Sequence, residues 1–504
     1  MFRITNQMMY NNSLVNMYSQ NEGLYKSSEQ ISSGKRVNRP SDDPLAIGEI
    51  MNYQTRLDRN DRYGTFTQKA KGVLSTSESL IASATDVATR AQELAVGQAS
   101  GTATAQTRLT TAREIDNLIQ HTIQVGNSKF GSDYVFSGRM TNVAAVTQGG
   151  AYQGDPNALD AALNENTSIA MTVKASDFLT ADLSPRITAN TPLSSTKLGQ
   201  GIGAGTFTIT DRAGVTGTVN VTAGMTVGNL VSAINASGAN VTATMPASGT
   251  YTFQLTDNNT TNVTGPIRIT DTAGTVASTL GIAGSRPVQT MKSDSLRPSM
   301  TAGTAIADLN GGIGLPLANI SVVNGSTSAT VSFAGATTVG DLINALNASG
   351  TNVTAALNAN GTALTITSNN PATVAYAKDI NAGKTADQLG IGGGRNLILN
   401  LQRLSAALKG NDVAAITGLI DNLSTSIDTT AALRGEIGAR VNRLDVNTSQ
   451  LESSKGDITT MLSNAQDADM AKAISDFTLL QSAYQATARA TAQIIQPSLL
   501  NFLK

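Results

Sequence analysis

Apolar residues recur every seven positions at both ends of this 504-residue chain, and no other sequence feature restricts its fold as strongly. Near the C-terminus the series is Ile437, Leu444, Leu451, Ile458 and Ala465. A period of 3.5 residues places these side chains on one face of a helix that packs against another helix. The pattern therefore predicts coiled-coil packing, with an ordinary helical bundle as the alternative.

The same spacing predicts further helices in both terminal regions. The series are Tyr10, Met17, Leu24 and Ile31; Val73, Leu80, Val87 and Leu94, with Ala84 and Ala91 between them; Leu109, Ala112, Ile115, Ile119 and Ile123; and Met470, Ile474, Phe477, Gln481, Tyr484, Ala488, Thr491 and Ile495. Asp43 and Pro44 are the residue types that begin a helix, as N-cap and first helical position. Because helices usually stop before a proline, the last helix is expected to end before Pro497.

Residues 150 to 395 have a different composition and no helical period. Gly, Thr, Asn and Val dominate, and alternating β-branched residues predict strands at 206–210, 218–221, 251–256 and 267–269. The sequence Thr-Val-Gly-x-Leu occurs twice, at 226–230 and 338–342, and each copy later closes on Leu-Gly-Ile. Each copy is predicted to form strands, one short helix and further strands. The predicted fold class is α+β, in which long terminal helices form a coiled-coil-like rod with an inserted β-rich region of two repeats.

This organisation predicts four regions. They are the inner terminal helices at 1–40 and 465–504, a helical rod at 41–150 and 395–464, a first β-rich module at 151–300 and a second at 301–394. A single amphipathic helix cannot bury its own apolar face, so we expect neighbouring subunits to complete the bundle. The candidate interface residues lie on these faces: Leu24, Ile31, Leu444, Leu451, Ile458, Phe477 and Tyr484.

Side chains that carry catalysis or bind metals are scarce. The chain has no Cys and one histidine, His121, so thiolate metal sites and Cys nucleophiles are excluded and no catalytic triad can be drawn. The acidic pairs Asp42/Asp43 and Asp467/Asp469 precede helices, and helix capping accounts for them. No basic run could neutralise phosphates, and no apolar stretch is long enough to span a membrane. The sequence predicts no enzyme, no cofactor, no metal, no nucleic-acid partner and no membrane insertion.

Four passages have the residue pattern of a known family. They are 3–10 together with 31–36; Asn-Arg-Pro-Ser-Asp-Asp-Pro at 38–44; Tyr-Val-Phe-Ser-Gly at 134–138, followed by Thr141; and Gln-Pro-Ser-Leu-Leu-Asn-Phe-Leu at 496–503. Together they resemble the flagellar hook-associated protein 3 family of the flagellin-like superfamily. The two repeats resemble the hook-IN motif of flagellins and other hook-associated proteins. The resemblance implies a helical core with an outward β domain.

The resemblance also implies a function. It implies a structural subunit that joins the hook to the filament by assembling with itself, with hook-associated protein 1 and with flagellin. It implies an export chaperone and export through the flagellar type III apparatus, without a cleaved signal peptide, to an extracellular place in the bacterial flagellum. Two alternatives stay open: flagellin, the main filament subunit, and a surface adhesin that binds through its β modules. The passages at 38–44 and 496–500 argue against flagellin, and nothing in the sequence names a ligand.

Overall fold

The computed structural model describes residues 6–247, 250–259 and 265–500, and for residues 6, 7, 10 and 493–500 it describes the backbone alone. Residues 3–5 and 501–503, which carry part of the family resemblance, lie outside this range, as does the side chain of Ile495. The helices are α1 (Asn6–Ser33), α2 (Pro44–Ala99), α3 (Ala105–Gly126), α4 (Val227–Asn235), α5 (Val276–Thr279), α6 (Leu309–Gly312), α7 (Val339–Asn347), α8 (Thr385–Gln388), α9 (Leu397–Lys409), α10 (Val413–Gln466) and α11 (Met470–Leu500).

Strands occupy the middle of the chain. They are β1 (Lys129–Phe130), β2 (Asp133–Tyr134), β3 (Asp160–Ala162), β4 (Ser168–Ala170), β5 (Gly205–Thr210), β6 (Thr216–Val221), β7 (Val241–Thr244), β8 (Gln254–Asp257), β9 (Ile267–Ala273), β10 (Gly284–Arg286), β11 (Thr290–Lys292), β12 (Ile320–Asn324), β13 (Thr327–Val331), β14 (Val353–Leu357), β15 (Leu364–Ser368) and β16 (Ala375–Asp379). Long helices at both ends and small sheets between them confirm the predicted α+β class. No helix in the described ranges is long and apolar enough to cross a membrane.

The start of α2 and the end of α11 test the helix start and stop signals predicted from Asp43, Pro44 and Pro497. Asp43 Oδ1 accepts a hydrogen bond from the Ala46 N–H at 3.1 Å, and α2 begins at Pro44 as predicted. In contrast, α11 continues to Leu500, so the predicted stop before Pro497 is wrong. Pro497 lies in the last turn, where the missing N–H removes one hydrogen bond and few residues follow.

The chain divides into two compact units, which we describe separately. The first unit contains Met1–Gln68, Ala162–Thr167 and Leu444–Lys504, and the second contains Lys69–Ala161 and Ser168–Arg443. Helices α1 and α11 belong to the first unit, whereas α3, α9 and both repeats belong to the second. Helices α2 and α10 are divided between the units. The four regions drawn from the sequence stay a prediction.

The helices of the second unit show the predicted seven-residue period, but α2 has it in a different phase. Its most completely buried apolar residues in this unit are Ala70, Leu74, Ile81, Ala84, Ala88, Ala91 and Ala95. Of the predicted series, Val73 and Val87 are buried while Leu80 and Leu94 are only half-buried, so the centre of the face lies one residue further along. Helix α3 packs against α9, and four of its five predicted residues are buried; Leu109 is exposed.

Each repeat forms a β-rich module with its own hydrophobic core. Module 1 contains α4, a four-stranded sheet of order β10-β9-β5-β6 and a three-stranded sheet of order β11-β8-β7. Module 2 contains α7, a three-stranded sheet of order β13-β12-β16 and the pair β14-β15. All these neighbours are antiparallel. The two cores are separate clusters of buried residues, so the repeats pack as two modules rather than one.

The repeated Thr-Val-Gly-x-Leu sequence begins the helix of each module. Thr226 Oγ1 accepts from the Asn229 N–H at 3.2 Å in module 1, and Thr338 Oγ1 accepts from the Asp341 N–H at 3.3 Å in module 2. The side chains of Asn229 and Asp341 accept in return from the Thr N–H, which completes a capping box. The predicted strand–helix–strand order of each copy is confirmed.

Asp211 holds the turn that follows β5 in module 1. Its Oδ1 accepts the N–H groups of Ala213 and Val215, both at 2.9 Å, and its Oδ2 accepts that of Asn240 at 3.0 Å. Burial disfavours the ionised carboxylate, but these backbone donors outweigh burial and the pKa of Asp211 is lowered. The ionised form of Asp211 therefore stabilises the folded module.

Asp211→Asn is expected to lower the melting temperature of the chain at pH 7 and to have a smaller effect at pH 3. The folded-state pKa of Asp211 lies below its ordinary value of 3.8, so its contribution is complete above that value and is lost as the pH falls through the folded pKa. Calorimetry of both proteins at the two pH values measures the difference. Asp86→Asn, at an exposed position of α2, is the matched control. An equal difference at both pH values would contradict this prediction.

Candidate assembly interface

In the first unit, α1 and α11 pack against each other. The helices approach closely at Gly23, where an added Cβ would lie 3.2 Å from Leu480 Cδ1. Met17, Leu24 and Ile31, which the seven-residue series placed on one face of α1, are all half-buried. The predicted face of α1 is thus at least partly covered within this chain.

The covered face of α11 differs in part from the predicted one. Its buried and half-buried residues include Ala473, Phe477, Leu480, Tyr484, Thr487, Ala488 and Thr491. Phe477, Tyr484, Ala488 and Thr491 were predicted on this face. Met470, Ile474 and Gln481, from the same series, are exposed. The covered residues are spaced by three and four, as predicted. In the first half of the helix, however, the covered face includes Ala473 and Leu480 in place of the predicted Ile474 and Gln481.

The break after α1 is joined to the break after α10. The Arg36 N–H donates to the Gln466 carbonyl at 2.6 Å, and its guanidinium donates to Asp43 Oδ2 at 3.1 Å. The Ala468 N–H donates to the carbonyl of Gly34, which has a φ of 70°. That left-handed conformation favours glycine. The segment 34–43 therefore positions both terminal helices at once.

The C-terminal part of α10 buries the centre of its seven-residue series. Leu444 and Ile458 are buried and Leu451 is half-buried. Asn60 of α2 donates its side-chain amide to the Leu451 carbonyl at 3.0 Å, so α2 lies directly against α10 at this level. These three residues face other helices of the first unit, as the period predicted.

Large apolar side chains are exposed mainly in the first unit, although it is the smaller one. Among the described residues, 13 of the 19 exposed large apolar side chains belong to it. Five of these lie on α1, and four of the five are spaced by seven, three and seven residues: Met8, Val15, Tyr18 and Tyr25, which are 58, 64, 72 and 70% exposed. At 100° per residue they share one face, different from that of Leu24. We call this face the outer stripe of α1.

All seven predicted interface residues are buried or half-buried in the first unit. Their face is therefore occupied at least in part by this chain's own helices, and their role between subunits stays a prediction. The outer stripe escaped the sequence analysis, although Met8 and Val15, and Tyr18 and Tyr25, are each seven residues apart. Glu22 interrupts the stripe, and Tyr carries a hydroxyl, so its apolar character is weaker in the sequence.

The acidic pairs act in caps and turns. Asp469 Oδ1 accepts from the Lys472 N–H at 3.1 Å at the start of α11, as Asp43 does at the start of α2. Asp42 accepts the N–H groups of Arg39 and Asn38, which lower the pKa of this carboxyl below its ordinary value. The capping interpretation is confirmed for Asp43 and Asp469, whereas Asp42 stabilises the preceding turn and Asp467 accepts from the Ser463 hydroxyl.

The histidine is a surface residue. His121 is exposed on α3, and its Nε2 lies 3.2 Å from Ser83 Oγ on α2. A serine hydroxyl polarised by a histidine needs a third group to orient the ring and a pocket for a substrate. Among the residues that the structure describes, no third group is hydrogen-bonded to the His121 ring.

Three family models match the chain. The bacterial flagellin N-terminal helical region matches residues 4–141, and the bacterial flagellin C-terminal helical region matches residues 418–503. The flagellin hook IN motif matches twice, at 206–259 and 319–370, which are the beginnings of the two modules. The models thus cover both helical ends and both repeats.

Curated relatives carry the name flagellar hook-associated protein 3. The protein from Salmonella typhimurium is 30% identical over 30% of this chain and 49% of its own length. That from Escherichia coli is 28% identical over 34% of this chain and 54% of its own. This chain therefore spans about half the length of these relatives. A crystal structure of hook-associated protein 3 from Legionella pneumophila is 14% identical, with a TM-score of 0.39, over 82% of this chain and 98% of that one.

Both helical ends and both repeats are thus similar to regions of bacterial flagellins, which are structural proteins without enzymatic activity. The chain is similar to flagellar hook-associated protein 3 of two species, and the resemblance stated from the sequence is confirmed.

Proposed function

We propose that this chain is a subunit of the junction between the flagellar hook and the filament, where it assembles with copies of itself. The outer stripe of α1 supports this proposal most directly. Four large apolar side chains in one line are unfavourable in water, and a neighbouring helix is the partner that their spacing fits. The relatives are named as hook-associated proteins, which supports a position beside the hook.

The energy for assembly comes from late burial of apolar surface. Each large side chain that passes from water to a packed interface contributes ~1.5–3 kcal/mol, so the outer stripe contributes several kcal/mol per subunit before ordering costs. The chain is also poor in charge, with 14% Asp, Glu, Lys and Arg against ~25% in typical domains. Subunits can therefore approach with little desolvation of charge.

The proposed partners follow from this position. One end of the assembly contacts hook-associated protein 1 and the other contacts flagellin. We propose that an export chaperone holds the chain before assembly. Export proceeds through the flagellar type III apparatus, without a cleaved signal peptide, so the chain works outside the cell. The seven residues named from the sequence, Leu24, Ile31, Leu444, Leu451, Ile458, Phe477 and Tyr484, then form the inner packing that presents the outer stripe.

Immunogold labelling of whole flagella is expected to place this chain only where the hook meets the filament. An antibody against module 1 suits the experiment, because this module has exposed surface and its own core. Labelling flagellin on the same grids is the control and should mark the whole filament. Label along the filament would show instead that the chain is a flagellin, and its abundance in purified filaments would agree.

The adhesin alternative makes a different prediction. It requires the modules to bind a glycan or a host-cell surface, and a binding assay on whole flagella with and without the two modules would detect this. The structure of the modules does not identify a ligand. Adhesion through the modules would also not require either helical end. We therefore favour the junction subunit.

A further inference from the structure

Arg297 occupies a crossing point of the chain in the second unit. The segment that contains Asp182 and Ser184 leads from the helical part into module 1, and the segment that contains Arg297 leads from module 1 to module 2. The loop at Gly154, which follows the short strands after α3, lies at the same place. Three stretches that are distant in sequence thus meet at one side chain.

The guanidinium of Arg297 contacts the other two stretches. Its Nη2 lies 2.6 Å from Asp182 Oδ1, its Nε donates to Ser184 Oγ at 2.8 Å, and its Nη1 donates to the Gly154 carbonyl at 2.5 Å. It also lies over the ring of Tyr152, 5.4 Å from the ring centre. The side chains of Arg297 and Asp182 are 4% and 2% exposed, so this is a buried ion pair.

Gly154 is required for this arrangement. An added Cβ at this residue would lie 2.5 Å from the Tyr152 hydroxyl and 2.7 Å from Ser137 Cα, so no larger residue fits without movement. The close approach brings the Gly154 carbonyl to Arg297 and leaves the Tyr152 hydroxyl donating to the Asp155 carbonyl at 2.7 Å. The loop is thereby shaped around the guanidinium.

The segments beside the pair contribute to both module cores. Leu296, next to Arg297, is fully buried in the core of module 1, and Leu183, next to Asp182, is buried in the core of module 2. The Leu183 N–H donates to the Thr362 carbonyl of module 2 at 2.7 Å. Any movement of the pair would therefore move both modules.

A buried ion pair at such a place is a poor source of stability. Removing two charges from water costs several kcal/mol each, and apolar residues of similar volume are often as stable or more so. The best-attested use of buried polar pairs is to fix one arrangement among several that apolar packing would allow. Leu183 and Leu296, the sequence neighbours of Asp182 and Arg297, are buried apolar residues, so apolar side chains could have filled the site.

We propose that the Arg297–Asp182 pair fixes the orientation of both modules on the helical part of the second unit. Arg297 is a positioning residue: its planar fork satisfies three partners in two stretches outside its own, and only one orientation of the modules satisfies all three. Without it the two cores stay folded, and the modules move on their connecting segments. A surface presented by the modules would then no longer repeat with the same geometry from subunit to subunit.

Distances between two spin labels, measured by pulsed electron–electron double resonance, test this proposal in the full chain. The chain has no cysteine, so labels at Gln120→Cys with Thr218→Cys report module 1, and Gln120→Cys with Ser328→Cys report module 2. These three positions are exposed on α3, β6 and β13. We expect one narrow distance distribution for each pair, and at least a twofold broadening in both with Arg297→Met. Arg286→Met, at an exposed arginine of module 1, should leave the widths unchanged.

Two further variants separate orientation from stability. Arg297→Lys keeps the charge and removes the fork, so broadening is expected with little change in circular dichroism. The double variant Arg297→Met with Asp182→Leu removes both charges, and we expect its melting temperature to recover while its distributions stay broad. Narrow distributions in Arg297→Lys, or in the double variant, would overturn the proposal and assign the pair to stability alone.

Discussion

Leu444→Asp is expected to lower the free energy of unfolding of the first unit by roughly 3–5 kcal/mol. Leu444 has no exposed surface in the C-terminal part of α10, so the new carboxylate would be buried among apolar side chains without a partner. Urea unfolding followed by far-UV circular dichroism measures the change. The loss should appear as an earlier transition of part of the helical signal, because the second unit has its own cores.

Val446→Asp is the matched control for this change. It introduces the same carboxylate two residues along the same helix, where the native side chain is 69% exposed. Surface substitutions usually stay within about 0.5 kcal/mol, so its unfolding curve should resemble that of the native chain. The comparison tests the helical phase, since a rotation of the helix by one or two residues would reverse the ranking. Equal destabilisation by both variants would mean that the packing of α10 described above is incorrect.

The double change Tyr18→Asp with Tyr25→Asp is expected to abolish assembly while leaving the monomer folded. Both tyrosines are at least 70% exposed on the outer stripe, so their replacement removes no packing within the chain. In an assembled interface, two carboxylates would be buried without partners, which costs several kcal/mol per subunit. The measurement is motility with flagellin released into the medium, beside circular dichroism of the purified chain.

Asn16→Asp with Ser28→Asp supplies the control for charge. It adds the same two carboxylates to α1 at exposed positions outside the outer stripe. Motility should persist in this variant. If the two double variants behaved alike, either added charge on α1 or another face of the helix would be responsible, and the outer stripe would lose its assigned role.

The sequence predicted which segments are helical better than it predicted which residues face inward. The series from Leu109 to Ile123 was expected on one helix, and it lies within α3, which occupies Ala105–Gly126. In α2 the prediction chose Leu80 and Leu94, while the buried face also contains Thr67 and Ser77. Ser77 donates its hydroxyl to the Val73 carbonyl at 2.8 Å, which satisfies a buried polar group inside the helix. Because such residues look polar in a sequence, an apolar period alone places the face slightly wrongly.

For the candidate sites too, the sequence predicts contacts that follow a local spacing and does not predict contacts between distant segments. Leu444 and Ile458 could be predicted because neighbours in a helix repeat at a fixed spacing. The contacts of Arg297 could not, because its partners Asp182 and Gly154 are more than 100 residues away and no local period connects them. The outer stripe is an intermediate case, since its spacing is visible in the sequence and its exposure is not.

The segment that contains both β-rich modules begins and ends at neighbouring residues of the second unit. A Cβ built on Gly390 would overlap the Cβ of Ala181, and the Ile398 N–H donates to the Leu179 carbonyl at 3.1 Å. Any polypeptide whose own termini are adjacent could replace the segment between them, because lengthening a closed loop adds little entropy cost. The helical part is therefore covalently joined to this segment at two adjacent points, and the Arg297–Gly154 hydrogen bond is a contact between those points. Insertion, duplication and exchange of domains are therefore tolerated at such a site in evolution. A tandem pair of hook IN motifs is the result that a duplication would produce.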